Sequence, residues 1–154
     1  LQPEDTLKQG DLLLVQKRDI EIMDCCFHFI YAENRGAAWG FLNNMDDSFR
    51  RPFFISISIV AILFIVWYLR KIPTPLTSIH VALGLILSGA IGNLWDRLRL
   101  NFVIDFIDWH WQDVYHWPTF NVADAAIVAG MILLFIGMNR KENKALLDNK
   151  LKKK

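Results

Sequence analysis

Three long stretches of this chain carry almost no charge, and they limit what it can fold into. Residues 52–69 and 72–95 hold no Asp, Glu, Lys or Arg, and residues 121–139 hold one, Asp124. A helix of about 20 apolar residues crosses the roughly 30 Å hydrocarbon layer of a bilayer. Three such runs leave too little chain to cover them in water. We therefore predict a mainly α, polytopic membrane protein.

Prolines and charges set the bounds of the three predicted transmembrane helices. The first covers residues 52–69, between two arginines. Pro73 and Pro75 delay the start of the second, which is predicted over residues 77–95, because proline is poorly tolerated inside a helix. The third covers residues 121–139.

Lysine and arginine placement orients these helices. Arg70 and Lys71 lie in the turn between the first two, and the tail 140–154 is strongly basic. Because loops rich in Lys and Arg stay in the cytoplasm, both segments are predicted to be cytoplasmic. Residues 1–51 and the loop 96–120 are then extracytoplasmic.

The first 51 residues differ in kind from the rest. Leu12–Val15 and Cys26–Ala32 are short segments rich in strand-forming residues, which predicts a small β-rich extracytoplasmic cradle. We expect the whole chain, 1–154, to form a single membrane-embedded domain. On the second helix, Gly84, Ser88 and Gly92 form a row of small residues that predicts close helix packing.

Several classes of function are disfavoured by composition. A net charge of +1 and the lack of a Gly-rich phosphate loop argue against nucleic-acid and nucleotide binding. Cys25 and Cys26 are neighbours, which rarely bridge, so we expect two thiols. The four histidines show no metalloprotease spacing and the cysteines no zinc spacing. We therefore predict no metal and no cofactor.

Polar residues are predicted to gather at the outer boundary of the membrane, where charges are costly and usually functional. These residues are Asn34, Arg35, Asp96, Arg97, Asp105 and Asp124. Two carboxylates that share a proton can hold a water molecule, take its proton and stabilise an oxyanion. Asp105 and Asp124 are the candidates for such a protease pair.

Other interpretations of the same residues stay open at this point. Asp96 and Arg97 also fit an ion-paired helix end that only fixes the helices in place. Asn93 and Asn121 orient carboxylates or cap helix ends. The whole cluster is also compatible with an ion or proton pathway, or with a helical scaffold.

Four motifs carry a resemblance to a known family. They are Asn34–Gly40, Gly89–Arg97, Val103–Phe106 and Phe120–Asp124, in that order. Together they resemble the bacterial lipoprotein signal peptidase family, signal peptidase II, over most of the chain. Each motif alone is modest, but four in order with matching spacing are specific.

The resemblance implies an intramembrane aspartic endopeptidase of the bacterial inner membrane, multi-pass, with its active site near the extracytoplasmic face. Such enzymes remove signal peptides from diacylglyceryl-modified prolipoproteins and cut just before the lipidated cysteine. The family needs no metal and is inhibited by the cyclic peptide globomycin. We expect contact with membrane lipid, no nucleic-acid partner, and a monomer.

The resemblance also assigns roles to residues. The family's catalytic pair falls on Asp105 and Asp124. The positions expected to bind substrate or support the site are Asn34, Arg35, Gly36, Asn93, Asp96, Arg97, Asn121 and Ala123.

The chain departs from the family pattern at its N-terminal side. The family has four transmembrane helices, of which three are visible here, and the first carries an Asp and a Lys near its outer end. Nothing before Asn34 is long and apolar enough to span, and the sequence begins at Leu1 rather than Met. Either the first helix is missing from this chain, or the protein has dispensed with it. The alternative function is a non-catalytic relative that binds lipopeptides or acts as a scaffold.

Overall fold

A computed structural model describes most of the chain, and the described residues form four strands and three long helices. The described residues are 20–23, 26–36, 46–73, 76–111, 114–140, 145–146 and 148–149. The elements are β1 (Ile20–Met23), β2 (Phe27–Asn34), α1 (Asp47–Leu69), α2 (Thr77–Leu100), β3 (Val103–Trp111), β4 (Tyr115–His116) and α3 (Val122–Asn139). The predicted strand Leu12–Val15 and most of the basic tail lie outside the described residues.

All three helices are long and apolar enough to cross a membrane. In their most apolar windows only 6%, 22% and 11% of the residues are buried inside the protein. Large side chains such as Leu63, Phe64 and Phe135 are more than half exposed. Apolar surface on this scale is unfavourable in water but suits contact with lipid. The prediction of a mainly α, multi-pass membrane protein with a small sheet is confirmed.

The first helix begins earlier than its uncharged run, at Asp47 rather than at residue 52. Asp46 caps it, because the backbone N–H of Ser48 donates to its carboxylate at 3.1 Å. The same bond lowers the pKa of Asp46 from its usual value. Arg50 pairs with Asp47 one turn away. An uncharged run marks the part of a helix that meets hydrocarbon, whereas the N-terminal cap marks the residue at which the helix begins.

The second helix also continues past its predicted end, to Leu100. It stops at Asn101, whose φ of 72° is a left-handed conformation that asparagine tolerates and that ends many helices. Residues 96–120 are therefore not a simple loop. They contain the last turn of α2, then β3 and β4. These elements contain charged residues, so apolar runs in the sequence do not indicate them.

The four strands form one antiparallel sheet in the order β1-β2-β3-β4. Strand β3 pairs with β2 from Phe27 opposite Trp109 to Asn34 opposite Val103. A bulge in β2 between Phe29 and Ala32 shifts the register by one residue. The predicted strand Cys26–Ala32 is thus present as β2.

Cys26 is disulfide-bonded, so the expectation of two thiols is wrong.

The chain divides into two compact units. One lies within Leu1–Ile55 and Trp95–Asn121 and includes the sheet, and the other lies within Ser56–Leu94 and Val122–Lys154. The second unit has an apolar core where the connection between α1 and α2 turns. Its buried members are Ile65, Ile72, Leu76, Ile79 and Leu83.

Glycines bring α2 and α3 into backbone contact within the second unit. A Cβ atom on Gly89 would lie 2.3 Å from the carbonyl oxygen of Ala123, and one on Gly130 would lie 2.7 Å from that of Ala82. The predicted row of small residues is only partly correct. Gly92 approaches the Ala123 side chain, whereas Gly84 has no described atom within 4 Å of such a Cβ.

This difference between glycines on one helix gives a matched test. We expect Gly89→Ala to lower the free energy of unfolding by about 1–3 kcal/mol, because its methyl group would push against the α3 backbone. Gly84→Ala should be neutral or stabilising by up to about 1 kcal/mol, because alanine favours the helix and meets open space. Thermal unfolding in detergent compares the two. Equal effects would show that α2 and α3 do not meet at Gly89.

Candidate active site

Asp105 lies in β3 and is almost completely buried, with 1% of its surface exposed. Two asparagine amides donate to it. The Nδ2 atom of Asn34 is 2.9 Å from its Oδ2, and the Nδ2 atom of Asn121 is 2.8 Å from its Oδ1. Asn34 comes from β2, where its neighbour Ala32 stands directly opposite Asp105. Both carboxyl oxygens are therefore held in place by amides from separate parts of the chain.

A turn after β2 supports this arrangement. The backbone N–H of Gly36 donates to the Oδ1 atom of Asn34 at 3.1 Å. The carbonyl oxygen of Gly36 in turn accepts from the guanidinium of Arg97 at 3.2 Å. The amide of Asn34 is thus fixed at its oxygen by the turn while its nitrogen reaches Asp105.

Asp96 and Arg97 both tie the end of α2 to neighbouring segments. A carboxylate oxygen of Asp96 lies 3.4 Å from the backbone nitrogen of Ile104, which donates to it at the start of β3. The Arg97 guanidinium also lies 5.3 Å from the ring centroid of Phe54, within range of a cation–π contact. These contacts favour the structural interpretation of the pair over a direct chemical role.

An arginine-rich cavity of about 540 Å³ lies in the same unit. Four guanidinium groups line it together with aromatic rings and polar side chains. The residues are Arg35, Asp47, Ser48, Arg50, Arg51, Pro52, Phe54, Arg97, Leu100, Asn101 and Phe102. Arg35 pairs with Glu33 at 3.0 Å. This cavity was not predicted from the sequence, although the adjacent Arg50 and Arg51 before the first apolar run indicate a cluster of positive charge.

Asp124 lies in the second unit, in the first turn of α3, and is half-buried. The Nδ2 atom of Asn93 on α2 donates to its Oδ1 at 2.7 Å. Ala123 beside it packs against Gly89 and Gly92 of α2. The helix N-terminus adds a favourable dipole for a carboxylate at this position. Asp124 is therefore held at the close contact of two apolar helices.

The ten predicted site residues are divided between the two units. The first unit holds Asn34, Arg35, Gly36, Asp96, Arg97, Asp105 and Asn121, and the second holds Asn93, Ala123 and Asp124. In the first group the buried Asp105 accepts from the amides of Asn34 and Asn121, and in the second the half-buried Asp124 accepts from the amide of Asn93. The catalytic pairing of Asp105 with Asp124 stays a prediction.

Comparison with known proteins identifies related sequences and structures. A family model described as signal peptidase (SPase) II matches residues 7–140, a segment that contains every predicted site residue. A lipoprotein signal peptidase of Geobacter metallireducens is 45% identical over 139 residues, covering 90% of this chain and 84% of that protein. One from Geobacter sulfurreducens is 48% identical over 127 residues, covering 82% and 78%.

Two solved structures, each described as a bacterial membrane enzyme determined by the in meso method, share the fold. Their TM-scores are 0.69 and 0.68, at 31% and 29% sequence identity. The similarity covers 79% and 80% of this chain, and 70% and 76% of those chains.

The hydrogen bonds to Asp105 make a testable contribution to stability. We expect Asn34→Ala and Asn121→Ala each to lower the free energy of unfolding by about 1–3 kcal/mol, because a buried carboxylate loses a donor. In an Asp105→Ala background the same changes should cost less. Unfolding in detergent measures both, with Asn139→Ala, at an exposed helix end, as the control. Equal losses in both backgrounds would argue against the two bonds.

Proposed function

The chain belongs to the signal peptidase II family, and we propose that it cleaves prolipoproteins with Asp105 and Asp124 as its catalytic pair. It is an endopeptidase of the lipoprotein signal peptidase type. The proposed bond cut lies just before the cysteine that carries the diacylglyceryl group. The observation that carries the assignment is the burial of Asp105 with both carboxyl oxygens held by asparagine amides.

The proposed reaction uses one ionised and one protonated carboxyl group. The ionised member takes a proton from a water molecule as the oxygen of that water attacks the scissile carbonyl carbon. The protonated member donates a hydrogen bond to the carbonyl oxygen as it becomes an oxyanion. When the tetrahedral intermediate collapses, the C–N bond breaks and the leaving amine takes a proton from the pair. Coupled carboxyl groups titrate together, so we assign these roles to the pair.

The supporting residues fit this proposal by keeping the carboxylates oriented before the substrate arrives. Asn34 and Asn121 hold Asp105, and Asn93 holds Asp124. Correct prior orientation of reacting groups removes a large entropic part of a reaction barrier. Arg35 and Arg97 border the cavity, where their N–H groups can donate to carbonyl oxygens of an extended peptide.

The proposed setting is the bacterial inner membrane, with the site near its extracytoplasmic face. A lipid-anchored substrate enters with its acyl chains in the hydrocarbon layer and its cleavage site at the boundary. Carboxylates at that level, one in β3 and one in the first turn of α3, meet the peptide without drawing charge into the hydrocarbon. We propose that a monomer acts in contact with membrane lipid and is inhibited by globomycin.

Replacement of either aspartate tests the catalytic assignment. We expect Asp105→Asn and Asp124→Asn each to reduce cleavage of a diacylglyceryl prolipoprotein by about 10²–10⁴-fold or more, because each removes a proton-transfer group. The double variant should be no slower than the slower single variant, since residues that act as a unit are not additive. A gel-shift assay on the purified protein in detergent measures all three.

The controls separate chemistry from folding. Asp148→Asn, at an exposed position in the tail, should cleave normally and with the same sensitivity to globomycin. Helical content by circular dichroism should match among all variants. Retained cleavage in either single aspartate variant would rule out the proposed pair. Lipopeptide binding without turnover in the unaltered chain would instead identify a non-catalytic relative.

A further inference from the structure

Four side chains of the kinds that can bind a metal ion, three histidines and one aspartate, share one face of the sheet, opposite to the face of Asp105. Residues directly opposite each other on paired strands point to the same face, as do residues two apart on one strand. His28 on β2 stands opposite Asp108 on β3, and His110 on β3 stands opposite His116 on β4. Because Asp108 and His110 are two residues apart, all four side chains lie on one face.

The potential ligand atoms are close enough to surround one ion. His28, Asp108 and His110 each offer one such atom, and these three atoms lie within 4.8 Å of one another. The rings of His28 and His110 have centroids 4.3 Å apart. In a bound zinc site, atoms at about 2.0–2.2 Å from the ion lie roughly 3–4 Å apart. Small side-chain rotations would be needed to bring the three atoms to that spacing.

Burial argues that this cluster is more than a set of surface histidines. Asp108 and His110 are only 6% and 2% exposed. The Nε2 atom of His28 is buried and accepts or donates no hydrogen bond among the described residues. A buried nitrogen in that state is costly, and a metal ion would satisfy it.

His116 completes the arrangement from the outer side. Its Nδ1 atom lies 3.4 Å from the carboxylate of Asp108, and its ring stacks on that of His110 with centroids 5.0 Å apart. A carboxylate that contacts both a histidine and a metal is a common way to orient ligands in metal sites. The His116 side chain is about half exposed, which leaves a route for an ion to enter.

We propose that His28, Asp108 and His110 form a binding site for a divalent transition metal, with Zn²⁺ as the best fit. Imidazole and carboxylate ligands suit Zn²⁺, and a set of two histidines and one carboxylate leaves room for a further ligand. The site links β2 to β3, and through His116 to β4. The site is separate from Asp105, because Asp105 and Asp108 lie three residues apart in β3 and point to opposite faces, and its proposed role is to stabilise the sheet. The linear spacing of the histidines predicted no metal, since the ligands meet only when the strands pair.

Zinc titration of the full chain, purified in detergent without a polyhistidine tag and stripped with a chelator, tests the proposal. We expect one Zn²⁺ per chain by isothermal titration calorimetry and a rise in the unfolding temperature on binding. His28→Ala and His110→Ala should abolish saturable binding. His116→Ala should weaken it about 10- to 100-fold, as for ligand-orienting residues in other metal sites.

His80→Ala is the matched control, because His80 lies on α2 and its Nδ1 contacts the Leu76 carbonyl oxygen. This variant should bind Zn²⁺ as the unaltered chain does. Binding that survives in both His28→Ala and His110→Ala, or no stoichiometric binding by the unaltered chain, would overturn the proposal.

Discussion

A carboxyl group buried inside a protein needs hydrogen-bond donors from the protein, because water no longer reaches its oxygens. In this chain those donors are asparagine amides. Asp105 accepts from Asn34 and Asn121, and Asp124 accepts from Asn93. An amide donates without adding a charge that would itself need a partner. The same asparagines that make buried aspartates tolerable also fix the directions in which their oxygens point.

Helix packing in the second unit depends on a different constraint. Lipid is as apolar as leucine, so helices in a membrane gain little by hiding apolar side chains and rely on close contact instead. Gly89 and Gly130 provide that contact between α2 and α3. The 2.7 Å bond from Asn93 to Asp124 also joins these two helices. The separation of the helices therefore also sets whether this bond can form.

The sequence predicted the parts of the molecule that local composition determines. Uncharged runs located three helices, and four short motifs located the residues around Asp105 and Asp124. Helix ends were less predictable. Helix α1 begins at the side-chain cap of Asp46, and α2 ends at the left-handed backbone of Asn101, and neither lies at the edge of an uncharged run. Strand β3 was missed, since it mixes charged and apolar residues and is defined by its partners.

The sequence also did not predict which carboxylate each asparagine contacts. Asn34 and Asp105 are 71 residues apart, and only strand pairing makes them neighbours. The bulge in β2 makes this harder. His28 and Ala32 would share a face in a regular strand, but the extra residue between Phe29 and Ala32 places them on opposite faces.

That bulge and the regular strand opposite it have a consequence for how such a chain can change over evolutionary time. Side chains alternate along β3. Asp105 therefore lies on one face, and Asp108 and His110 on the other, only while an even number of residues separates Asp105 from each of them. A substitution here alters one side chain. A single-residue insertion or deletion would reverse every position beyond it, so β3 should vary in sequence far more readily than in length.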